Sequence, residues 1–275
     1  MTDPSTSPLE GETTQRPWFD ELDWVSLPVP HASFPAEHAP RLAVLNLNEQ
    51  RDAKLFYNSV QLAFEDRSPE RVASGMGQRI GGWIATAADV SELANYWASM
   101  IVQYDKRERA YALRFYDSRS IALLWPLLSD GQRQVLLGPV GTWHTLDACA
   151  RPCVYQGGVA LHAHLQLKET QWEAIRAHEH INRALGLMML DEQRQPLPRD
   201  IEIAVEAAQR YEAYDIEDAA DRALFILHAL TWHPRFDMHP VVRHAMRAIG
   251  PDTFYSEALS VLSDSDISAI RQSSL

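Results

Sequence analysis

Eleven histidines, two cysteines and one aspartate set between arginines are the residues of this 275-residue chain whose types and spacing bear most directly on chemistry. His162 and His164 stand two apart in an alternating stretch, and on a strand both rings would point to one face, as metal ligands do. The sequence identifies no third ligand, so no metal or other cofactor is expected. A metal-assisted hydrolase using this pair is the alternative reading. His178-Glu179-His180 has the residue types of a zinc-protease string at the wrong spacing, since ligands on a helix must be four apart and these rings diverge by about 200°. His178 shares a helical face with Ala174, Ile181 and Leu185, which predicts a partly buried structural histidine. Cys149 and Cys153 could each work with His144 or His162 in thiol chemistry, but nothing local would lower a thiol pKa. The pair is also too few for a disulfide framework or a zinc knuckle. There is no Gly-x-Ser-x-Gly elbow and no Walker loop; Ser74 to Gly77 followed by Gly81-Gly82 reads as turns ahead of Trp83. Catalysis is not expected.

The segment from Tyr111 to Leu128 is the most distinctive. It reads as a strand whose end delivers Asp117 as a helix N-cap, the carboxylate accepting otherwise unpaired N–H groups of the first turn. Arg114 and Arg119 lie within reach of that carboxylate. An ion pair holding strand to helix is one outcome. A basic edge presented to an acidic or helical partner is the other, with Arg114, Tyr116, Asp117, Arg119 and Trp143 as candidate partner-binding residues.

These residues need elements to position them. Residues 1–40 hold seven of the sixteen prolines, seven acids and one base, and read as a disordered acidic tail in which Trp18, Phe19 and Trp24 either dock a partner or pin the tail to its own body. From residue 41 to 168 strand-like runs are expected at Arg41 to Leu47, Val60 to Phe64, Arg79 to Thr86, Ala110 to Tyr116, Gln134 to Leu137 and Val159 to Leu167. A helix capped by Asp89 and Glu92 should carry one stripe of Leu93, Tyr96, Trp97, Met100, Ile101 and Tyr104. The expected fold is α/β of the α+β kind: a lobe with a mixed sheet and flanking helices, followed over 169–275 by an all-helical lobe. There the helices should start at a Thr170–Glu173 capping box, near Arg199, after Asp215 with Ala220, Ala223, Leu224, Leu227 and Leu230 in register, and at Pro240, the last stopping at Gly250-Pro251.

Charge follows the same division. The net −12 is concentrated in residues 1–40 (−6) and 165–275 (−7), while residues 41–164 are nearly neutral at +1. That balance argues against a nucleic-acid partner. No apolar run reaches the roughly 18 residues of a membrane span and no secretory signal opens the chain, so a cytoplasmic protein is expected.

The ordered blocks Arg114-Phe115-Tyr116-Asp117-Ser118-Arg119, Leu137-Gly138-Pro139-Val140 and Trp143 resemble those of the type VI secretion effector adaptors or chaperones, first catalogued as a domain of unknown function. Upstream, Leu42 to Asn46, Lys54-Leu55-Phe56-Tyr57 and Gly82-Trp83-Ile84 are similar to that family's opening strand, helix and glycine-tryptophan strand, and Glu169 to Ile175 to the start of its C-terminal helices. Ser118 stands where the family usually has proline, and Asn46 where it often has aspartate. The resemblance implies a non-enzymatic cytoplasmic adaptor whose partners are a cognate toxic effector and the valine-glycine-repeat spike protein or its tip. An immunity protein that inhibits a toxin is a further alternative.

Overall fold

The computed structural model describes residues 22–30, 34–35, 38–73, 77–158, 164–250 and 252–274. Its first element shortens the expected tail. Strand β1 (Val25–Ser26) pairs antiparallel with β2 (Arg41–Leu42), and Leu27 beyond it is fully buried. Trp24 lies under the Arg41 guanidinium, 5.3 Å from ring to cation, so this aromatic is pinned to the body. Trp18 and Phe19 fall outside the described residues.

Helix α1 (Gln50–Glu65) buries Leu55, Ser59 and Ala63, one stripe at i+4 spacing. The expected strand at Val60 to Phe64 is therefore its last turns. A short α2 (Pro69–Ala73) leads to β3 (Trp83–Thr86), and α3 (Val90–Ile101) follows, with Asp89 accepting from Ser91 N–H at 2.7 Å. The α3 stripe of Leu93, Trp97, Met100 and Ile101 is buried as expected, but Tyr104 lies outside the helix, on β4 (Val102–Tyr104), and is 65% exposed. β4 pairs with β5 (Ala110–Ala112) in a two-stranded ribbon. Helices α4 (Ser118–Leu124) and α5 (Asp130–Leu137) come next. The latter replaces the strand expected at Gln134 to Leu137, because Ser129 and Gln132 form a full capping box ahead of it. Gly138 ends α5 at φ +58°, where a Cβ would enter the Tyr96 ring, so glycine is required twice over.

Strands β6 (Val140–Leu146) and β7 (Pro152–Gln156) complete a three-stranded sheet in the order β3-β6-β7. Every strand pairing among the described residues is antiparallel, where a mixed sheet was expected. The strand expected at Val159 to Leu167 is not formed where it can be seen: residues 159–163 lie outside the described set and 164–168 are coil. Its alternation survives, with Leu165 buried between exposed His164 and Gln166.

After this point the fold is helical, consistent with an α+β arrangement. α6 (Glu169–Glu192) starts one residue before Thr170, because Lys168 is the cap and its N–H donates to Gln171 Oε1 at 2.8 Å. α7 (Pro198–Arg210), α8 (Ala219–Thr231) and α9 (Pro240–Ala245) follow, the last with proline at its first position. α8 is rotated from expectation, burying Ala223, Phe225, Ile226 and Ala229 while Leu224, Leu227 and Leu230 are only partly covered. Short α10 (Tyr255–Leu259) and α11 (Asp264–Arg271) close the chain. One apolar core spans residues 27 to 165 around Trp97, Phe115 and Trp143. A second spans 177 to 270 around Tyr211, Phe225 and Phe236. Helix α6 joins them: Gly186 lets α2 approach so closely that a Cβ there would meet Val72 Cγ1 at 3.1 Å. Among the described residues no helix is long and apolar enough to cross a membrane.

Candidate interaction site

β5 gives way to Leu113 and Phe115, both buried, and the chain bends with Asp117 N–H donating to Arg114 O at 3.0 Å. That bend places Asp117 at the N-terminus of α4, where Oδ1 accepts from Arg119 N–H at 3.0 Å. The Arg119 guanidinium then grips the same carboxylate, Nε to Oδ1 at 3.1 Å and Nη2 to Oδ2 at 2.8 Å, while Arg114 Nη2 stands 3.7 Å away. Burial alone would raise the Asp117 pKa, but the Arg119 charge and hydrogen bonds, with Arg114 behind, hold it below the usual carboxylate range. The cap and the ion pair thus coexist. Asp117→Ala is expected to cost about 1 kcal/mol for the cap and about 1–3 kcal/mol more for the abandoned Arg119. Asp117→Asn, which keeps an acceptor, should recover the first part, as urea denaturation of the two variants would report.

Beneath the cap lies an arginine that sequence reasoning missed. Arg67, two residues past α1, is 2% exposed. Its Nη1 donates to Ala63 O at 2.6 Å, Nε to Asp147 O at 3.0 Å, and Nη2 to Leu146 O at 2.5 Å and Ser118 Oγ at 2.6 Å. One guanidinium therefore ties together the end of α1, the end of β6 and the start of α4. Ser118 Oγ donates onward to Gln78 Oε1 at 2.5 Å, a bridge that the proline usual in the resembling family would not supply. Around this centre Asp66 accepts from Arg79 N–H and Nε, both at 2.7 Å. Asp147 accepts from Arg151 Nη2 at 2.8 Å. From the helical part, Gln195 Nε2 donates to Arg67 O at 2.5 Å. A cavity of about 20 Å³ borders the cluster, lined by Arg67, Gln78, Arg119, Leu185 and Met189. It is large enough for one water molecule and no more.

The remaining predicted residues separate. Tyr116 is half-buried beside Phe115, 6.0 Å between rings. Trp143 is 2% exposed inside the first core, 5.1 Å from Trp97 and 5.6 Å from Tyr155, so a direct partner contact is corrected to a packing role. Of the five candidates Arg114 is the most open, its side chain 46% exposed. His162 lies outside the described residues and His164 is exposed on coil. Among the described residues no group of three or more His, Cys, Asp or Glu is placed to hold a metal ion. Burial and Asp147 push the Cys149 thiol up to about 11, the reverse of nucleophile activation. His178 is buried in α6, as expected, and burial pushes its pKa down to about 4.

A surface that the sequence reading did not single out lies on α1. Ala53, Tyr57, Val60 and Phe64 recur at helical spacing on the side away from the buried stripe, with Tyr57 62% and Phe64 47% exposed. Gln61 Nε2 donates to Tyr57 Oη at 3.2 Å, and Lys54, three residues before Tyr57, is exposed beside the row.

Residues 30–135, the stretch holding α1, Arg67 and the Asp117 cap, match a family model described as a domain of unknown function, DUF4123. No curated protein and no solved structure matches the chain.

Proposed function

We propose that this chain is a non-enzymatic adaptor or chaperone that binds a cognate toxic effector in the cytoplasm and loads it onto the spike protein of a type VI secretion apparatus. The observation that carries this reading is the row of exposed Tyr57 and Phe64 with half-buried Val60 between them on α1, within the matched segment. An amphipathic helix with aromatic residues open to solvent is the form in which proteins present a docking face to a partner helix or groove. The arginine centre below it serves that face by fixing the end of α1 against β6 and α4, so the row is held rather than free to roll. The block resemblance supplies the identity of the partners.

Co-expression of the full chain with the effector encoded beside it, and separately with the spike protein, tests this reading. Both should co-elute with the wild-type chain. Tyr57→Glu with Phe64→Glu should weaken effector or spike binding by about 2 kcal/mol per anchor, roughly 30-fold each, while thermal stability stays unchanged because both side chains are exposed. Elution alone in every pairing, with effector delivery intact after deletion of the protein, would overturn the proposal.

A further inference from the structure

The β4–β5 ribbon has a different character from the rest of this acidic chain. Its bonded pairs include Asp105 with Arg109 and Ile101 with Leu113, since Asp105 N–H donates to Arg109 O at 3.1 Å and Leu113 N–H to Ile101 O at 2.6 Å. By the antiparallel alternation, the backbone N–H and C=O groups of Ala110 and Ala112 then point outward along the β5 edge. No third strand takes that edge among the described residues. Cations gather on this strand and its turn. Lys106 and Arg107 are exposed at the tip, and the Arg109 and Arg114 side chains, flanking β5, are 53% and 46% exposed. Tyr111 between them carries the Arg109 guanidinium 5.7 Å from its ring and that of Arg176 from α6 at 5.6 Å, and packs on buried Trp172, 5.2 Å between ring centroids. That stacking orders two guanidiniums before any ligand arrives. Asp105 does not offset this charge toward solvent. Its buried carboxylate is consumed within the turn, accepting from Arg107 N–H at 2.8 Å, Arg109 N–H at 3.0 Å and Arg109 Nη2 at 2.6 Å. Asp117 beside Arg114 is likewise enclosed, in the grip of Arg119. Glu108 and Glu169 are the carboxylates there that reach solvent, against Lys106, Arg107, Arg109, Arg114 and Arg176. At physiological salt, charges beyond about 8 Å are largely screened. A ligand at the edge therefore meets this local excess rather than the −12 of the whole chain.

An open strand edge recognises extended backbone through main-chain hydrogen bonds, and the side chains around it then choose among sequences. Edge cations ordinarily keep such an edge from pairing with other edges. The same cations admit a strand that carries carboxylates, because opposite charges across a strand pair stabilise it. A second copy of this chain on the same edge would set two cationic turns side by side, and like charges there destabilise the pair. We infer that the β5 edge is a second interaction surface, separate from the α1 row, which takes an extended segment rich in glutamate or aspartate from a partner protein as an added strand. The carboxylates of that segment meet Lys106, Arg107, Arg109 and Arg114, while its backbone bonds to Ala110 and Ala112. The charged part of the contact is weakened by salt.

Fluorescence anisotropy of the full chain with a labelled ten-residue peptide that alternates glutamate with valine tests this. Neither effector nor spike is present, so the outcome is independent of the α1 row. The peptide should bind, and a lysine-for-glutamate counterpart should not. Affinity should fall at least five-fold in 0.5 M salt, and at least ten-fold in the Lys106→Glu, Arg107→Glu double variant, whose substituted side chains are both exposed. Hydrogen exchange at the Ala110 and Ala112 amides should slow at least ten-fold when the wild-type chain is saturated with the acidic peptide. No binding at about 1 mM peptide, binding that the double variant leaves unchanged, or binding that leaves those two amides unmoved would each overturn the assignment. Amides already slow in the peptide-free monomer would give the edge to the chain itself, and amides slowed by raising the protein concentration alone would give it to a second copy; either result overturns it as well.

Discussion

Arg67→Ala should lower the stability of the chain by about 3–5 kcal/mol, the range for breaking a buried charged network by removing one partner. The guanidinium is 2% exposed, and burial pulls its pKa down to about 10 while Asp66 and Asp117 push it back, so it remains charged at neutral pH. Truncation does three things at once. It strips donors from the carbonyls of Ala63, Leu146 and Asp147 and from Ser118 Oγ, all inside the protein. It leaves Asp66, Asp117 and Asp147 with one fewer compensating cation. It also opens a void beside the existing small cavity, with a cost that grows with the volume left. Arg67→Lys should recover little, because an ammonium cannot match acceptors arranged on three sides of a planar fork. For a chain of this size a loss of that order lowers Tm by about 10 °C. Guanidinium denaturation of Arg67→Ala within 1 kcal/mol of wild type would show that the centre is not what joins α1 to β6 and α4.

That centre was not legible in the sequence, and the reason is physical. Asp66-Arg67-Ser68 after an amphipathic helix has the composition of an ordinary surface turn, and arginine is seldom buried unless paired. What buries Arg67 is a set of acceptors that the fold brings from residues 51 and about 80 positions away. Asp117, by contrast, was readable because a cap is a local device: the carboxylate and the N–H it accepts are two residues apart. The same division runs through the fold. The helices after residue 168 announce themselves by periodicity, proline at a first turn and short-range capping. The sheet does not, since β6 reads Val-Gly-Thr-Trp-His-Thr-Leu and mixes polar with apolar residues on its faces. Val60 to Phe64 and Gln134 to Leu137 read as strands in the sequence because short apolar runs carry too few residues to separate a period of 2 from one of 3.6. Exposure of Tyr57 and Phe64 was hidden for the converse reason: an apolar residue in a helix is assigned to a core by type, and only the packing shows that the buried stripe there is Leu55, Ser59 and Ala63.

Mild acid should unfold the helical part of the chain before it titrates most carboxylates. His178 on α6 is buried, and half-buried His228 on α8 stacks on Trp232 at 3.7 Å with Nδ1 2.6 Å from Tyr255 Oη. Burial penalises the imidazolium and pushes their pKa values down to about 4 and about 3. His180, 3.1 Å from Tyr211 Oη, is lowered in the same direction by burial and then by Arg222. These histidines are neutral in the fold, whereas in the unfolded chain they take up a proton below about pH 6.5. The unfolded state therefore binds more protons in acid, and stability falls as pH drops from about 6.5 toward 4, by about 1.4 kcal/mol per pH unit for each fully buried histidine. At pH 4.5 buried His178 alone removes about 2–3 kcal/mol and half-buried His228 adds to it, a large share of the 5–15 kcal/mol that domains possess. Asp117 and Asp200, whose folded pKa values are lowered, act in the same direction but at lower pH, since their stabilisation is present above about pH 4 and is lost only below it. Urea midpoints followed by near-ultraviolet circular dichroism should accordingly decline from pH 7.5 to pH 5. His178→Leu should make that decline shallower by about one histidine's slope, because leucine fills a buried site without a proton to gain. A midpoint that is flat over this range, or a slope that the substitution leaves unaltered, would mean that these rings find solvent or a carboxylate in the folded chain and that the acid sensitivity lies elsewhere.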